Sequence, residues 1–337
     1  MIVLTCSGTG GHVYPAIACA QYLQGKEVHF LVDKGRVSET IVQSYPFPYT
    51  ALPINRNNLW TLVKSMKEIW SFFSTKSVSR VICFGGYVGV PVVLVAWLRR
   101  IPITLCEQNA WPGKANRFLH RFADKVCVSF KESVEFFPEK KVVLTGNPIR
   151  LRFPAEEQSK EICSMNWAEG KRCLVFGGSQ GALDINRFFL EHENEFIKEN
   201  MVIIHIVGKQ FYKEHFSEDE AFVQVGEDET VKVVRIPYAE NIKSYYEWAD
   251  LVVSRSGATS VAELLHFQKA AILMPFPHAT DNHQWHNAKA MASLSPCPII
   301  EKEHLSLKTF KEALSFPFEQ SKNRYRVKFE EICTEIR

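Results

Sequence analysis

Short apolar runs alternate with longer amphipathic stretches along this chain, and turns rich in glycine separate them. Residues 2–5 predict a strand, residues 14–23 a helix, and residues 27–32 a second strand that ends at Asp33. Strands that alternate with helices are typical of βαβ units, in which the strands lie parallel and ligands bind at their carboxyl ends. The pattern therefore predicts an α/β protein built on parallel sheets.

The same unit of strand, glycine turn and helix recurs twice. The apolar run at 81–84 is followed by a glycine turn at 85–89, and the run at 172–176 by another at 177–182. Polar residues 107–109 follow a further strand between them. Because parallel strands bring their carboxyl ends to one edge of a sheet, we expect these turns to form ligand sites.

The chain has 337 residues, which exceeds the usual size of a single hydrophobic core and predicts two domains. The turn sequence Gly146-Asn147-Pro148 interrupts the strand pattern, and we place the linker there. The N-terminal domain is then 1–146 and the C-terminal domain 147–320. An amphipathic stretch at 321–337 is expected to form a closing helix on the first domain.

Composition excludes several protein classes. The formal charge of +3 is too balanced to predict nucleic-acid binding. No secretory signal is expected at the N-terminus, and the most apolar run, 88–98, is too short to span a bilayer. The nine cysteines include no C-x-x-C pair, so we expect reduced thiols in a cytosolic protein. Those in apolar strands, expected to be buried, are Cys83, Cys106, Cys127 and Cys173.

The first glycine turn, residues 7–12, is typical of a phosphate loop, because glycines let backbone N–H groups approach an anion. The dinucleotide fingerprint is incomplete, since Val13 replaces its third glycine, although Asp33 lies where its ribose-binding acid belongs. A tight turn without a ligand is the alternative. His12 is the titratable side chain of this loop and suits a general base or a phosphate contact. A purely orienting hydrogen bond from His12 stays open.

A segment between 57 and 80 interleaves aromatic residues with lysines. One interpretation is an amphipathic helix with its apolar face in the core and its lysines in solvent. The aromatic residues exceed what one core-facing stripe needs, which makes a membrane interface the alternative. An aromatic and basic cluster at 97–100 extends this candidate surface. Its members are Leu59, Trp60, Lys64, Lys67, Trp70, Phe72, Phe73, Trp97, Arg99 and Arg100.

Polar side chains also follow the strands of the second half. Ser179 lies in the third glycine turn, where its hydroxyl could bind a phosphate oxygen at a helix N-terminus. Thr259 and Glu263 are spaced i,i+4 and share one face of a predicted helix. Residues 278–286 contain three histidines and an aspartate, but their spacing matches no standard zinc site. We favour a loop that grips a sugar or nucleotide over a metal site.

Together these motifs resemble the MurG family, the UDP-N-acetylglucosamine transferases of glycosyltransferase family 28 that complete lipid II in peptidoglycan synthesis. The motifs occur in the family's order between residues 2 and 290. The resemblance implies an α/β GT-B fold with two Rossmann-like parallel-sheet domains facing across a cleft, the acceptor domain first and the donor domain second. The matching motifs are Gly8-Thr9-Gly10-Gly11-His12, Gly85-Gly86-Tyr87, Glu107-Gln108-Asn109, Gly146-Asn147-Pro148-Ile149-Arg150, Gly177-Gly178-Ser179-Gln180-Gly181-Ala182, Arg255-Ser256-Gly257-Ala258 and His278 to Gln284.

The resemblance also implies roles for individual residues. His12 and Glu263 match catalytic positions, and Glu263 is also expected to bind the ribose hydroxyls. Ser179 matches a contact to the donor phosphates, and Gln284 matches a contact to the N-acetylglucosamine hydroxyls. Ala239 falls where a backbone group reads uracil, but the family usually carries a larger aliphatic residue there. Further donor-binding positions are Thr9, Gly10, Gly11, Asn109, Arg150, Ala258, Thr259, Ser260, Val261 and Ala262, and the acceptor pyrophosphate loops contain Gly8, Gly10, Gly11, His12, Gly85, Gly86 and Tyr87.

The implied reaction is inverting transfer of N-acetylglucosamine from UDP-GlcNAc to the 4-hydroxyl of the N-acetylmuramoyl group of lipid I. It needs a base at that hydroxyl and electrostatic stabilisation of the UDP leaving group. No Asp-x-Asp motif is present, so we expect no metal cofactor and assign that stabilisation to helix N-termini and Ser179.

The resemblance implies a peripheral protein on the cytoplasmic face of the bacterial cell membrane, because the lipid part of the acceptor stays in the bilayer. Anionic phospholipid is the implied partner surface, other cell-wall synthesis proteins are further candidates, and cell shape and division are the implied processes. Each basic residue near such a surface contributes about 1 kcal/mol.

Three alternatives stay open at this point. A GT-B enzyme could use another nucleotide sugar or a soluble acceptor, although the aromatic and basic surface argues against the latter. A UDP-GlcNAc epimerase would use the same donor. A dehydrogenase-like nucleotide-binding module rests on Gly8, Gly10 and Asp33, and the donor motifs of the second half argue against it.

Overall fold

The computed structural model divides into two compact units, Met1–Leu151 with Tyr325–Arg337, and Arg152–Arg324. The expected linker at 146–148 precedes this division by a few residues. Of residue 59 the structure describes the backbone alone. The described residues are 1–8, 10–55, 58–150, 152, 157–178, 181–216, 222–318 and 325–333.

The sheet of the N-terminal unit is built from parallel strands. Within the described residues they are β1 (Ile2–Thr5), β2 (Val28–Asp33), β3 (Tyr49–Leu52), β4 (Arg80–Cys83), β5 (Ile103–Glu107), β6 (Lys125–Val128) and β7 (Val142–Leu144). Their order across the sheet is β3-β2-β1-β4-β5-β6-β7. Successive strands are therefore added on one side of β1 up to β3 and on its other side from β4 onward, and we call the place between β1 and β4 the reversal point. In sheets of this kind, ligands bind at the carboxyl ends beside the reversal point.

Helices cover both faces of this sheet. Residues of the first helix pack with β1 and β2 on one face, and residues of the third and fourth helices pack on the other. The first helix begins earlier than the predicted residue 14, because glycines at its start carry no apolar side chain and leave no periodic signal. The helices are α1 (Gly10–Tyr22), α2 (Val37–Gln43), α3 (Leu59–Thr75), α4 (Gly89–Leu98) and α5 (Lys114–Leu119), with a 3₁₀ turn at Lys131–Phe136.

The C-terminal unit contains a second, mostly parallel sheet. Its strands among the described residues are β8 (Lys171–Phe176), β9 (Met201–Ile206), β10 (Phe222–Val225), β11 (Val231–Ile236), β12 (Leu251–Ser254) and β13 (Ala270–Leu273). The order is β10-β11-β9-β8-β12-β13, with β10 antiparallel at the edge. The order reverses between β8 and β12, so the loops that follow these two strands occupy the corresponding position.

Helices of the C-terminal unit pack around a cluster of phenylalanines. The rings of Phe188, Phe189, Phe196 and Phe310 contact one another with centroids 5.0–5.8 Å apart. This burial fixes the helix that follows the glycine turn after β8. The helices are α6 (Glu157–Cys163), α7 (Leu183–Glu191), α8 (Glu193–Lys198), α9 (Lys209–His215), α10 (Ile242–Trp248), α11 (Ala258–His266), α12 (His283–Leu294) and α13 (Leu307–Leu314), with 3₁₀ turns at Thr280–Asn282 and Lys302–His304.

The four cysteines expected in strands are buried and carry free thiols, which confirms that prediction. Burial raises the pKa of the Cys173 thiol, so it stays protonated at neutral pH. These side chains serve as small apolar residues of the two cores.

The chain returns to the N-terminal unit at residue 325. The predicted closing helix at 321–337 is wrong for 325–328, which form neither helix nor strand and lead into α14 (Phe329–Cys333). The reason is that this segment bonds to the end of β7: the Lys328 N–H donates to the Thr145 carbonyl over 2.8 Å. The remainder of the predicted helix, 321–324 and 334–337, lies outside the described residues.

Tyr325 fixes the returning segment to the turn at 146–148. Its hydroxyl accepts a 2.5 Å hydrogen bond from the N–H of Asn147, a residue with no exposed surface. Burial raises the pKa of the Tyr325 hydroxyl, so it remains neutral. Gly146, with a φ of 77°, lies so close that a Cβ atom would be 3.1 Å from the Tyr325 hydroxyl oxygen.

We predict that Tyr325→Phe lowers the free energy of unfolding by about 1–3 kcal/mol, because a buried N–H loses its acceptor. Tyr49→Phe is the matched control, since the Tyr49 hydroxyl accepts from Gln43 in an exposed position and its loss should cost less than about 0.5 kcal/mol. Urea unfolding followed by circular dichroism measures both. Equal losses in the two variants would contradict the assignment.

Candidate active site

Two glycine loops meet where the strand order of the N-terminal sheet reverses. Gly8, after β1, and Gly86, after β4, have φ angles of 90° and 83°. A Cβ atom on Gly86 would lie 2.0 Å from Ser7 Oγ, and the Val88 N–H donates to that oxygen over 3.3 Å. The loops therefore touch through backbone and small side chains, which requires glycine at position 86.

His12 lies in the first turn of α1 and contacts the loops that follow β4 and β5. Its Nδ1 is 2.9 Å from Oε1 of Gln108. A Cβ atom on Gly85 would lie 3.3 Å from His12 Cε1, so the imidazole packs against the backbone there. Of the site residues proposed from the sequence, the structure brings together His12, Gly8, Gly85 and Gly86, whereas Thr9 lies outside the described residues.

The other predicted residues of these loops lie beside that cluster. Gly10 and Gly11 form the start of α1, and Tyr87 is half-buried after Gly86. Cys6 and Cys83 stand immediately before the two loops, and burial raises the pKa of both thiols. Neither thiol is a nucleophile at neutral pH, so neither competes with His12 as a candidate for proton transfer.

Glu107 is a buried carboxylate at the end of β5, with 1% of its surface exposed. Its Oε1 accepts from the backbone N–H of Asn109 at 2.9 Å and from Asn109 Nδ2 at 3.2 Å. Its Oε2 accepts from the Gly113 N–H at 3.0 Å and from Asn116 Nδ2 at 2.9 Å. The carboxylate therefore shapes the whole loop from 108 to 116. The sequence presents Glu107 within a motif but indicates a role only for Asn109; an acidic residue at the end of an apolar strand is the signal for Glu107.

Asn109 and Arg150 are both held within the N-terminal unit. The Asn109 amide donates to Glu107 as described above. The Arg150 guanidinium lies 4.0 Å from the centre of the Tyr14 ring, and its Nη1 donates to the Tyr45 hydroxyl over 3.2 Å. Arg150 is 9% exposed, so it ties the end of this unit to α1.

The glycine turn after β8 is tightly packed in its described part. A Cβ atom on Gly177 would lie 2.3 Å from the Ala182 nitrogen, and one on Gly181 would lie 2.3 Å from the Val207 carbonyl oxygen. Gly181 has a φ of 77°. The turn thus closes onto the start of α7, but Ser179 lies outside the described residues.

Arg255 is a buried cation that ties the neighbouring loops of the C-terminal unit together. Its Nη1 donates to the carbonyls of Met274 and Pro275 at 3.0 and 3.1 Å, and its Nη2 pairs with Asp184 in the first turn of α7. Loops after β12 and β13 are thereby fixed to the helix after β8. The sequence identifies Arg255 only as part of a motif and not as a link between loops, because its partners are distant along the chain.

Helix α11 carries the two residues that the i,i+4 spacing placed on one face. Glu263 is 6% exposed and its Oε2 accepts from the Tyr246 hydroxyl over 3.1 Å. The Thr259 Oγ1, one turn earlier, is buried and has no hydrogen-bond partner among the described residues. Of the other predicted positions, Ala258, Val261 and Ala262 are buried and Ser260 is half-buried. The first turn of α11 therefore offers backbone N–H groups and a hydroxyl.

Gln284 is fixed beside the start of α11. Its Oε1 accepts from the Phe276 N–H over 2.9 Å, and its backbone carbonyl accepts from Ser256 Oγ over 2.7 Å. Asn287 extends the network by donating to the Ser256 carbonyl over 3.1 Å. The bond to Phe276 fixes the orientation of the Gln284 amide, whose NH₂ group can donate to a ligand.

Two further sequence predictions concern this unit. Ala239 is 9% exposed in the loop between β11 and α10. His283 turns its Nδ1 to the Thr280 carbonyl, 2.8 Å away. Among the residues that the structure describes, no three histidine, cysteine or acidic side chains are grouped as metal ligands would be.

A surface of exposed aromatic and basic side chains covers part of α3 and α4. Asn58 caps α3 by accepting from the Trp60 N–H over 3.0 Å, and the Trp60 side chain is 81% exposed. Trp70 and Trp97 are 46% and 50% exposed, and the Arg99 guanidinium lies 5.0 Å from the Trp70 ring centre. We call Trp60, Lys64, Lys67, Trp70, Trp97, Arg99 and Arg100 the aromatic-basic patch.

The prediction that Phe73 belongs to this patch is wrong. Phe73 is 3% exposed and packs into the core with Ile69, while Phe72 is half-buried against the same core and lies 4.8 Å from the His29 ring. The α3 periodicity turns these rings toward the sheet. The side chain of Leu59 lies outside what the structure describes.

Beside the patch, an apolar groove of about 580 Å³ lies between α3 and α4, lined by Val63, Met66, Trp70, Val95 and Leu98. Within the parts of the chain that the structure describes, none of the helices combines the length and apolarity that a bilayer span requires.

Comparisons with known proteins assign the family. Residues 2–128 match the glycosyltransferase family 28 N-terminal domain, and residues 172–332 match its C-terminal domain. A relative from Halothermothrix orenii is 35% identical over 322 residues, covering 90% of this chain and 86% of the relative. One from Desulfotalea psychrophila is 34% identical over 347 residues, covering 97% and 90%. Both bear the name UDP-N-acetylglucosamine–N-acetylmuramyl-(pentapeptide) pyrophosphoryl-undecaprenol N-acetylglucosamine transferase.

Solved structures confirm the predicted GT-B fold. MurG from Acinetobacter baumannii superposes with a TM-score of 0.70 at 25% identity and covers 94% of this chain and 90% of that one. A UDP-GlcNAc 2-epimerase from Neisseria meningitidis, bound to UDP-GlcNAc, superposes with a TM-score of 0.61 at 13% identity, covering 99% and 94%. The second match shows the fold alone, whereas the sequence matches separate the families. The chain belongs to glycosyltransferase family 28 and, within it, to the MurG family of N-acetylglucosaminyltransferases.

Proposed function

We propose that the protein transfers N-acetylglucosamine from UDP-GlcNAc, with inversion, to the 4-hydroxyl of the N-acetylmuramoyl group of lipid I. The observation that carries the proposal is that each unit, in a chain of this family, holds a polar group in place: His12 beside the glycine loops of the first unit and Glu263 on α11 of the second. The names of its relatives supply the donor and the lipid-linked acceptor.

The donor binds to the C-terminal unit in this proposal. Glu263 accepts hydrogen bonds from the ribose hydroxyls, held in place by Tyr246. The Gln284 amide donates to hydroxyls of the sugar, since its oxygen already accepts from Phe276. Thr259 and the backbone N–H groups at the start of α11 face the phosphates, whose oxygens supply the partner that the Thr259 hydroxyl lacks among the described residues. Ser179 and Ala239 complete the proposed donor set of this unit, and Asn109 and Arg150 of the N-terminal unit are further proposed donor contacts.

The N-terminal unit supplies the acceptor chemistry. The loops with Gly8 and Gly86 present backbone N–H groups to the acceptor pyrophosphate, and His12 takes the proton of the attacking hydroxyl. Negative charge on departing UDP is stabilised by N–H groups at helix N-termini and by Ser179, without a metal cofactor. We therefore propose that the glycine loop at 7–12 binds the acceptor pyrophosphate.

Transfer can be measured with radiolabelled UDP-GlcNAc and a lipid I analogue that carries a short prenyl chain. We predict a labelled disaccharide product, far less product with UDP-glucose, and none without the acceptor. Formation of UDP-N-acetylmannosamine without net release of UDP would instead identify an epimerase. Absence of labelled disaccharide at saturating acceptor would contradict the proposal.

The aromatic-basic patch is proposed to dock on the cytoplasmic face of the bacterial membrane, where the lipid part of the acceptor resides. Exposed Trp60, Trp70 and Trp97 suit the interfacial region, and Lys64 and Lys67 suit anionic headgroups. This arrangement makes the protein a peripheral membrane protein, close to other cell-wall synthesis proteins.

We predict that Trp60→Asp combined with Trp70→Asp lowers affinity for phosphatidylglycerol vesicles by about tenfold or more, since burying one such side chain is worth about 1.5–3 kcal/mol. Val225→Asp is the matched control, because Val225 is 52% exposed on the edge strand of the other unit. Vesicle sedimentation measures binding, and a water-soluble acceptor measures retained turnover. Unchanged sedimentation of the double variant would reject the patch.

A further inference from the structure

The side-chain amide of Gln108 lies between a backbone carbonyl and the imidazole of His12. Its Nε2 donates to the Cys106 carbonyl over 2.9 Å, and its Oε1 is 2.9 Å from His12 Nδ1. Gln108 is 1% exposed, so bulk water does not compete for either contact. Both ends of the amide are therefore engaged by different partners.

The Cys106 carbonyl determines which way the amide points. A carbonyl oxygen only accepts hydrogen bonds, so it requires the NH₂ end of Gln108. The reversed amide would place two oxygens 2.9 Å apart inside the protein, with no proton between them. The Gln108 oxygen must consequently face His12, and because an amide oxygen only accepts, His12 Nδ1 must carry a proton.

We infer that Gln108 is a positioning residue that fixes His12 as the Nδ1–H tautomer and thereby keeps Nε2 as its basic nitrogen. The inference deepens the proposed function and rests on it for the role of His12 as the base. A ring flip would replace Nδ1 by a carbon at the Gln108 oxygen. Other rotations are restricted because the ring lies close to Gly85, where an added Cβ atom would be 3.3 Å from His12 Cε1.

The remaining ring nitrogen is suited to accept a proton. Among the described residues the structure shows no hydrogen bond to His12 Nε2, whereas Nδ1 is engaged. In the proposed step, the 4-hydroxyl oxygen forms a bond to the anomeric carbon while its proton moves to Nε2. The bond from that carbon to the UDP oxygen breaks, and the electron pair leaves with UDP.

The contact between Gln108 and His12 persists throughout this step. Nδ1 donates to the Gln108 oxygen both in neutral imidazole and in imidazolium, so no hydrogen bond needs to change partner as the proton arrives. An amide oxygen bears no net charge, so it orients the ring without supplying a second negative group beside the buried Glu107 carboxylate. Orientation of the tautomer is thus the specific contribution of Gln108.

Nitrogen-15 NMR of the full chain with labelled histidines measures the tautomer directly, and the His12→Gln spectrum assigns the His12 signals. We expect wild type to show protonated Nδ1 and unprotonated Nε2. Gln108→Met removes the acceptor and should shift His12 toward a mixture of tautomers. Gln108→Glu, as the neutral acid, keeps an O–H donor for the Cys106 carbonyl and an acceptor oxygen at His12 Nδ1, so it should restore the Nδ1–H form.

Turnover provides the second measurement. We expect Gln108→Met to lower kcat by about tenfold or more while KM for UDP-GlcNAc changes by less than about threefold, as expected when a base loses its correct tautomer. Gln108→Glu should recover rate relative to Gln108→Met. A merely structural role would leave the tautomer unchanged and would alter KM and kcat together.

An Nε2–H tautomer in the wild type overturns the inference, as does a Gln108→Met variant with unchanged tautomer and unchanged kcat. Because the NMR measurement uses the free protein, it stands whether or not transfer to lipid I is observed. Failure of the proposed function and failure of this inference are therefore separate results.

Discussion

The buried carboxylate of Glu107 is the interaction on which the N-terminal site depends. A charge removed from water is tolerated only when hydrogen bonds replace its hydration, and four N–H groups from residues 109, 113 and 116 do so here. Those bonds fix the loop after β5 at the sheet edge. Gln108, within that loop, is thereby held against His12, so the geometry of the candidate base follows from an interaction that does not touch it.

The C-terminal unit uses a buried cation in the corresponding place. Arg255 binds two carbonyls of the loop after β13 and pairs with Asp184 at the start of α7. Glu107 thus fixes one loop, after β5, whereas Arg255 joins the loops after β12 and β13 to the helix after β8. The groups available to a ligand differ between the units. The first unit has glycine loops and the His12 imidazole, and the second has the buried Glu263 carboxyl group and the Gln284 amide.

The strands and most of the helices were predictable from the sequence, whereas the contacts between residues distant along the chain were not. Apolar runs followed by glycines indicated β1, β4 and β8 with their turns. Neighbouring atoms lie so close to the backbone at Gly86 and Gly181 that only glycine fits, and glycine is visible in the sequence. The pattern misplaced Phe73, since an aromatic residue on an amphipathic helix is equally compatible with core and surface. The roles of Glu107 and Arg255 depend on partners that only the folded sheet brings near. Sequence periodicity predicts helix for residues 325–328 as well, because the hydrogen bond between Lys328 and Thr145 leaves no local signal.

We propose that the second unit binds the donor nucleotide and that the first unit supplies the base. Isothermal titration of UDP-GlcNAc into His12→Ala and Glu263→Gln tests it most directly. We predict that His12→Ala binds the donor within about threefold of wild type, whereas Glu263→Gln binds it about 10–150-fold more weakly, since a hydrogen bond to a charged group is worth about 1.5–3 kcal/mol. Loss of donor affinity in His12→Ala with wild-type affinity in Glu263→Gln would contradict the claim.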